Sequence, residues 1–219
     1  MQGCCSFAGD ANQQFDRPKV AAELKRFHEN GPGITTRLLI EGIVQSKALG
    51  PTVLDVGAGF GGLALALLEQ GASSAVAVDA SSAYVETARH EATRRGRSAS
   101  IQFVLGDFVD AASQVSRAST VTLDRVVCCY PAWEPLLTAA LAHAEHCFAL
   151  SYPRSAWYVR AALAIENGRR RLARNPFRTF VHPVRSIDNL ITRSGFALSV
   201  RRETWMWRVD VYVRHGLRR

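Results

Sequence analysis

The sequence predicts an α/β domain: a seven-stranded, mostly parallel sheet with helices on both faces and an antiparallel last strand. Three observations carry this. Short apolar runs alternate with helical periods through the middle of the chain, a glycine-rich turn follows the first of those runs, and two extended segments close the sequence. The 219 residues are enough for one well-buried domain and not comfortably two.

Each element has its own signal. Before Pro51, two helical segments flank the turn Asn30-Gly31-Pro32-Gly33. "TVLDV" (Thr52–Val56) is the first strand, closed by glycine. Gly61 to Gly71 is a helix that Gly71 is suited to stop. "SAVAVD" (Ser74–Asp79) is the second strand. The following helix runs from Ser82 to Gly96, with Ser81 or Ser82 as N-cap and arginines in its last turn. Ile101–Asp107 and Ser119–Asp124 are strands three and four, Ala132–His146 a helix, and Cys147–Pro153 the fifth strand. Continuous apolar runs suit a sheet covered on both faces, and right-handed crossovers put helices on each.

The last third changes character. Ser155–Asn175 is a helix or a broken helix pair with a basic end, and "PFRTFV" is a short extended piece. Ser186–Gly195 is a compact helix capped by Ser186, with Asp188 in its first turn. Two strands follow, with the break expected near Met206–Val209. One domain over 1–219 results, with a helical cap over 1–50, a core over 51–153, and a lid helix plus closing strands over 154–219.

Composition narrows the class. Hydrophobic residues at 47% and charged residues at 21% fit a globular protein, and no apolar run approaches the roughly 18–20 residues of a membrane span. The first twenty residues lack a basic region followed by an apolar core, so a cytoplasmic location is expected. The net charge of +8 is concentrated in late arginines. Such a bias suits nucleic acid, anionic lipid or an acidic small molecule, and equally an arginine-rich solvated surface. Five cysteines without a C-x-x-C spacing argue against a disulfide framework and a zinc ribbon, so no metal is expected.

The chemistry gathers at the strand ends. "VLDVGAGFGG" places Gly57, Gly59, Gly61 and Gly62 behind an apolar strand that carries Asp55. Glycine there permits unusual dihedrals and the close approach of a ligand, and NAD, FAD and S-adenosylmethionine (SAM) sites all use such a turn. The spacing is G-x-G-x-G and not the dinucleotide G-x-G-x-x-G. An acid two residues before the first glycine suits the ammonium and sulfonium of SAM and does not help a pyrophosphate. Asp79, ending the second strand, is placed to accept from both ribose hydroxyls. Asp107, with the backbone N–H of Phe108, is placed to bind an adenine edge. Arg37 in "GITTR" is a candidate partner for the SAM carboxylate.

These four features, in order and spacing, make the sequence resemble the class I SAM-dependent methyltransferases over Thr52 to about Pro153. The resemblance implies a Rossmann-like fold, SAM as cofactor and S-adenosylhomocysteine as product. It also implies a loop site at Asp55, Gly57, Ala58 and Gly59, a ribose site at Asp79 with Ala80, and an adenine site at Gly106, Asp107 and Phe108. Asp124 ends the fourth strand, and the segment after it is implied to face the methyl group. Through the front helices, "VDASSAYVETAR" and "TLDRVVCCYP", the chain is also similar to the Mg-protoporphyrin IX O-methyltransferase family. That likeness implies methyl transfer to a propionate carboxylate, and the late arginines suit an acidic porphyrin.

That family's pattern has His-Tyr after strand four, where this chain has Cys129-Tyr130. A sulfur-lined pocket suits a soft acceptor, such as a small thiol, hydrosulfide, or an arsenic or selenium species. Folding of the front helices over the cofactor edge would bring Cys4-Cys5 near Cys128-Cys129. Tyr130, His182 and His28 are the candidate bases or orienting groups, with Cys129 beside them. The expected partner is a small-molecule acceptor. The absence of an Asn-Pro-Pro-Tyr-like segment argues against a nucleic-acid methyltransferase, and a SAM-binding scaffold without catalysis is the third alternative. The Ser155–Asn175 helix is a lid, a core element or a basic amphipathic surface for peripheral membrane contact.

Overall fold

The computed structural model describes residues 4–214 and 216, with the backbone alone described for 4–8. Strands β1 (Thr52–Val56), β2 (Ser74–Asp79), β3 (Ile101–Leu105), β4 (Ala118–Asp124), β5 (Ala144–Pro153), β6 (Phe196–Glu203) and β7 (Trp207–Arg214) form one sheet in the order β3-β2-β1-β4-β5-β7-β6. The neighbours among β1 to β5 pair parallel, and β7 runs antiparallel to both β5 and β6. This is the predicted Rossmann-like sheet.

Alternation along the strands divides the core between two faces. Val53, Cys147, Ala149, Val209 and Val211 point to one face, packed with Leu39, Ile43, Leu63 and Leu67. Those residues come from α3 (Ile34–Gln45) and α4 (Gly62–Glu69). Leu54, Val56, Phe148, Leu150 and Tyr212 point to the other, packed with Leu136, Leu137, Ile187 and Ile191. The latter come from α7 (Trp133–His143) and α9 (Val184–Arg193). Helix α5 (Ser82–Arg94), with Ser81 as N-cap, follows β2; the four-residue α6 (Phe108–Ala111) follows β3 and is capped by Asp107.

Several boundaries differ from expectation. The front of the chain has a helix before the expected pair: α1 (Cys4–Gln14) precedes α2 (Arg17–Asn30) and α3. Asp16 divides α1 from α2, its side chain accepting from Lys19 N at 3.0 Å, with Pro18 in the first turn of α2. Strand β5 begins at Ala144 and not Cys147, because Ala144 pairs with Ala118 of β4, and sheet pairing overrides the helical propensity of "AHAEH". The basic segment forms one helix, α8 (Trp157–Leu172).

Residues 176–181 form no strand. Their backbone is held by side chains: the Asn167 amide donates to Thr179 O at 2.7 Å and accepts from Thr179 N at 3.0 Å. Helix α9 starts at Val184 behind Pro183, so Ser186 lies in the first turn and is not the cap; the Ser186 and Ile187 amides donate to Pro183 O. The β6–β7 break lies earlier than expected, over Thr204–Met206, where the Thr204 hydroxyl accepts from the Met206 and Trp207 amides.

The closing strands carry a buried polar knot. Asp210, fully buried, accepts from Arg201 Nε at 2.7 Å and from the Tyr152 hydroxyl at 2.8 Å. Asp188 accepts from the Tyr212 hydroxyl at 2.6 Å and so ties α9 to β7.

Candidate active site

The carboxyl ends of β1, β2, β3 and β4 open onto one cavity of about 740 Å³. It lies where the strand order turns outward from β1 to β4, the place where ligands bind in open α/β sheets. Asp55, Asp79, Asp107 and Asp124 all line it, with Gly57, Ala58, Gly59, Ala80, Gly106, Phe108 and Arg37.

The glycine turn has the unusual dihedrals the sequence suggests, and Gly57 has a second reason besides. Gly57, Gly59 and Gly61 have φ of 66°, 57° and 78°, where side chains are disfavoured. What approaches Gly57 is the chain itself: a Cβ there would stand 2.4 Å from Val126 Cγ2, on the loop after β4. The amides of the turn are also engaged. Gly57 and Ala58 donate to Val78 O, Gly61 donates to Ala58 O, and Gly59 donates to Asp79 Oδ2 at 2.8 Å. These four amides are therefore committed within the chain, and carboxylates surround the turn. Such a cradle favours a cation over a phosphate.

Each acid is held differently. Asp55 is 1% exposed; its Oδ1 accepts from the Thr122 hydroxyl at 2.7 Å, and its buried Oδ2 makes no hydrogen bond. Burial pushes its pKa up to about 7; Asp124 and Asp79 add to the rise, and the Thr122 bond opposes it. The Ala64 amide also opposes it, from outside hydrogen-bond geometry. Asp79 accepts from Gly59 N and Ser81 N, each at 2.8 Å, and burial lifts its pKa to about 6 against those two bonds. Asp107 accepts from Val109 N at 3.0 Å and from the Tyr130 hydroxyl at 2.7 Å. Asp124 accepts from the hydroxyls of Thr36 and Ser151, both at 2.5 Å, and so joins α3 to the end of β4.

The far wall is the loop after β4. It opens with Arg125 in the left-handed region at φ 60°, which costs about 1 kcal/mol for a residue with a side chain. The Arg125 carbonyl receives both Cys128 Sγ at 3.3 Å and Cys129 Sγ at 3.4 Å, and the two sulfurs are 3.7 Å apart. Cys129 gives up its proton more readily than Cys128: the one Cys128 S–H, turned from the Arg125 carbonyl toward Cys129, favours the Cys129 thiolate, and Arg125 and Arg170 do so as well, against burial. Lys19, Arg125 and Arg170 line this end of the cavity with Phe15, Phe177 and Thr179.

Residues 53–149 match the family model described as a methyltransferase domain. No curated protein matches the chain. Among solved structures, it is similar to magnesium protoporphyrin IX methyltransferase from Synechocystis PCC 6803 with bound SAH, at 22% identity over 82% of each chain and a TM-score of 0.67. It is similar to an O-methyltransferase family protein from Burkholderia thailandensis at 15% identity, over 92% of this chain and 61% of that one, with a TM-score of 0.68. A third, solved for the conversion of a disulfide bond into a thioacetal group during echinomycin biosynthesis, is 16% identical over 80% of each chain, with a TM-score of 0.59. At these identities the likeness is one of fold.

Around the cavity, the predicted bases separate. Tyr130 lines the cavity, but its hydroxyl is engaged with Asp107. Neither histidine is among the lining residues. His182 Nε2 stands 3.0 Å from Val127 O and 3.1 Å from Tyr130 O, two acceptors that require the proton on this nitrogen. Phe180 N donates to Cys128 O at 2.7 Å, so residues 180–182 buckle the post-β4 loop in place. His28 lies in a separate hollow, its Nε2 3.0 Å from Glu91 Oε2. Burial works to raise the pKa of Glu91, but bonds from Arg94, Arg95 and His28 outweigh it and hold it near 2. The Cys4 and Cys5 side chains lie outside the described residues.

The sequence reading missed Thr36, Glu23, Lys19 and Arg170. Glu23 receives the Tyr84 hydroxyl across the cavity edge. The only local signal was the Asp16 cap, which orients α2 so that Lys19 and Glu23 face inward. Arg170 sits within a run of three arginines that nothing in the sequence tells apart.

Proposed function

We propose that this chain transfers a methyl group from S-adenosylmethionine to a small molecule, a carboxylate of a porphyrin-like acceptor. The observation that carries the reading is the charge of the cradle: engaged amides, a buried carboxylate oxygen without a donor, and acids at successive strand ends. That set fits a ligand with cationic ammonium and sulfonium groups and opposes a pyrophosphate. When bound, S-adenosylmethionine supplies an electrophilic methyl group on a positively charged sulfur.

The chain's residues then have distinct tasks. Asp55 Oδ2 takes the ammonium and gains the donor it lacks. Arg37, exposed at the rim, pairs with the carboxylate. Asp79 accepts from the ribose hydroxyls with lone pairs its two amide bonds leave over. Asp107 and Phe108 hold the adenine edge, and Tyr130 is a positioning residue that fixes Asp107. Lys19, Arg125 and Arg170 orient an anionic acceptor. A carboxylate needs little activation toward a sulfonium, so proximity and orientation supply most of the rate.

A second reading, methylation of a small thiol or other soft acceptor, is favoured by one observation: the Cys128–Cys129 pair in the same wall. The deciding experiment is incubation with labelled S-adenosylmethionine and a panel of porphyrins, organic acids, thiols and hydrosulfide, with the product read by mass. A methyl ester supports the first reading, and a thioether from a thiol or methanethiol from hydrosulfide supports the second. Transfer to RNA or DNA instead, with salt-sensitive retention, overturns both.

A further inference from the structure

Helix α8 is amphipathic in the inverted sense. Its inward face carries Val159, Leu163, Glu166 and Arg170, and Leu163 and Arg170 line the cavity. Its outward face carries Trp157, Ile165 and Leu172, which are 79%, 67% and 88% exposed, with Ala161, Ala164 and Gly168 between them. At 100° per residue these six fall in one stripe along the helix. Arg160 and Arg171 border the stripe on one side and Arg169 on the other. All three are exposed and, among the described residues, make no ion pair.

A second element extends this stripe. Trp205, 66% exposed, tips the β6–β7 turn. Arg154 Nη1 donates to Thr204 O at 3.1 Å and to the Tyr158 hydroxyl at 3.3 Å, which fixes that turn beside the start of α8. Two tryptophans and a tyrosine thus stand at one end of an apolar ridge edged by arginines.

We infer that this face docks on an anionic lipid surface, with the apolar stripe in the headgroup boundary and the arginines on lipid phosphates. Exposed apolar area of this kind marks an interaction surface, and a helix with an apolar stripe between basic borders lies in the plane of a bilayer. Tryptophan and tyrosine suit that boundary, being apolar in body with a polar atom to keep wet. A second copy of the chain is disfavoured as occupant, because a two-fold contact sets the same arginines against each other. Nucleic acid would use the arginines but leave Ile165 and Leu172 without a partner. A docked α8 holds the cavity wall at the membrane surface, within reach of a membrane-dissolved acceptor. The inference does not depend on which acceptor is methylated.

The test is co-sedimentation of the full chain with phosphatidylcholine vesicles, with and without phosphatidylglycerol at about one lipid in three. Binding is expected on the mixed vesicles only, with a blue shift of tryptophan emission. Replacing Arg160, Arg169 and Arg171 by Gln should weaken partitioning by about fivefold per arginine. Replacing Trp157, Ile165 and Leu172 by Ser should abolish the emission shift; these six side chains are exposed, so melting temperature and S-adenosylmethionine affinity should stay unchanged. Absence of binding to the mixed vesicles, an unchanged partition in both triple variants, or a dimer that buries Trp157 overturns the inference. So does tighter binding to single-stranded RNA than to the mixed vesicles at matched salt.

Discussion

Asp55 gives a prediction with a sign and a size. Its carboxyl, buried at the end of β1, has a pKa near 7 in the free protein, against about 3.9 in an unfolded chain. A folded value above the unfolded one means that the fold disfavours the charged form. Stability from this residue is therefore greatest at low pH and falls as pH rises from about 4 to 7, by on the order of 4 kcal/mol in all. An ammonium placed at Oδ2 reverses the preference and lowers the pKa. Binding of S-adenosylmethionine should then expel a proton, about half a proton per site at pH 7 and nearly one at pH 6, and affinity should rise about fivefold between those values. Calorimetry in buffers of different ionisation enthalpy measures both. Asp55→Asn should remove most of the slope, leaving the smaller part that Asp79, with its pKa near 6, contributes, and weaken binding by about 1.5–3 kcal/mol at pH 7.5, while the ligand-free variant melts higher than the parent above pH 7. A slope undiminished in Asp55→Asn, or proton uptake by the parent, would refute the assignment of the ammonium to this carboxylate.

Other outcomes follow from the same geometry. Gly57→Ala should destabilise the protein by at least about 2 kcal/mol in denaturant titration; Val126→Ala in the same chain should restore part of it by removing the clash, with the loss to positive φ remaining. Tyr130→Phe should weaken S-adenosylmethionine by about 1–2 kcal/mol through Asp107, and a loss of turnover with affinity untouched would instead make the hydroxyl a catalytic group. Arg201→Met should cost about 3 kcal/mol by stranding buried Asp210, and Asp210→Asn in that background should recover part of the loss.

The strands and the four acids were legible in the sequence because they are local signals: an apolar run, a terminal acid, then glycine or a cap. Other features depend on distant partners. The need for glycine at 57 comes from Val126, on another strand's loop, so the sequence pointed to a close neighbour but not to its identity. The early start of β5 is imposed by pairing with β4. His28 and His182 each followed an aromatic and preceded a turn, a pattern shared by cleft residues and by histidines that tie segments together. Their partners, Glu91 and the carbonyls of Val127 and Tyr130, are 52 to 63 residues away in sequence. Helix α1 was missed because "CCSFAGDANQQ" has no apolar period and only the Asp16 cap marks its end.

The clasp of Asn167 on Thr179 joins two parts of the chain that would otherwise be separate. Thr179 adjoins Phe180, whose amide grips the carbonyl of Cys128. Three short bonds thus connect the outer helix to the backbone that carries the sulfur pair, at the same end of the chamber as Arg170. The helix inferred to dock and the wall that carries Cys128 are therefore tied by direct hydrogen bonds through Asn167, Thr179 and Phe180.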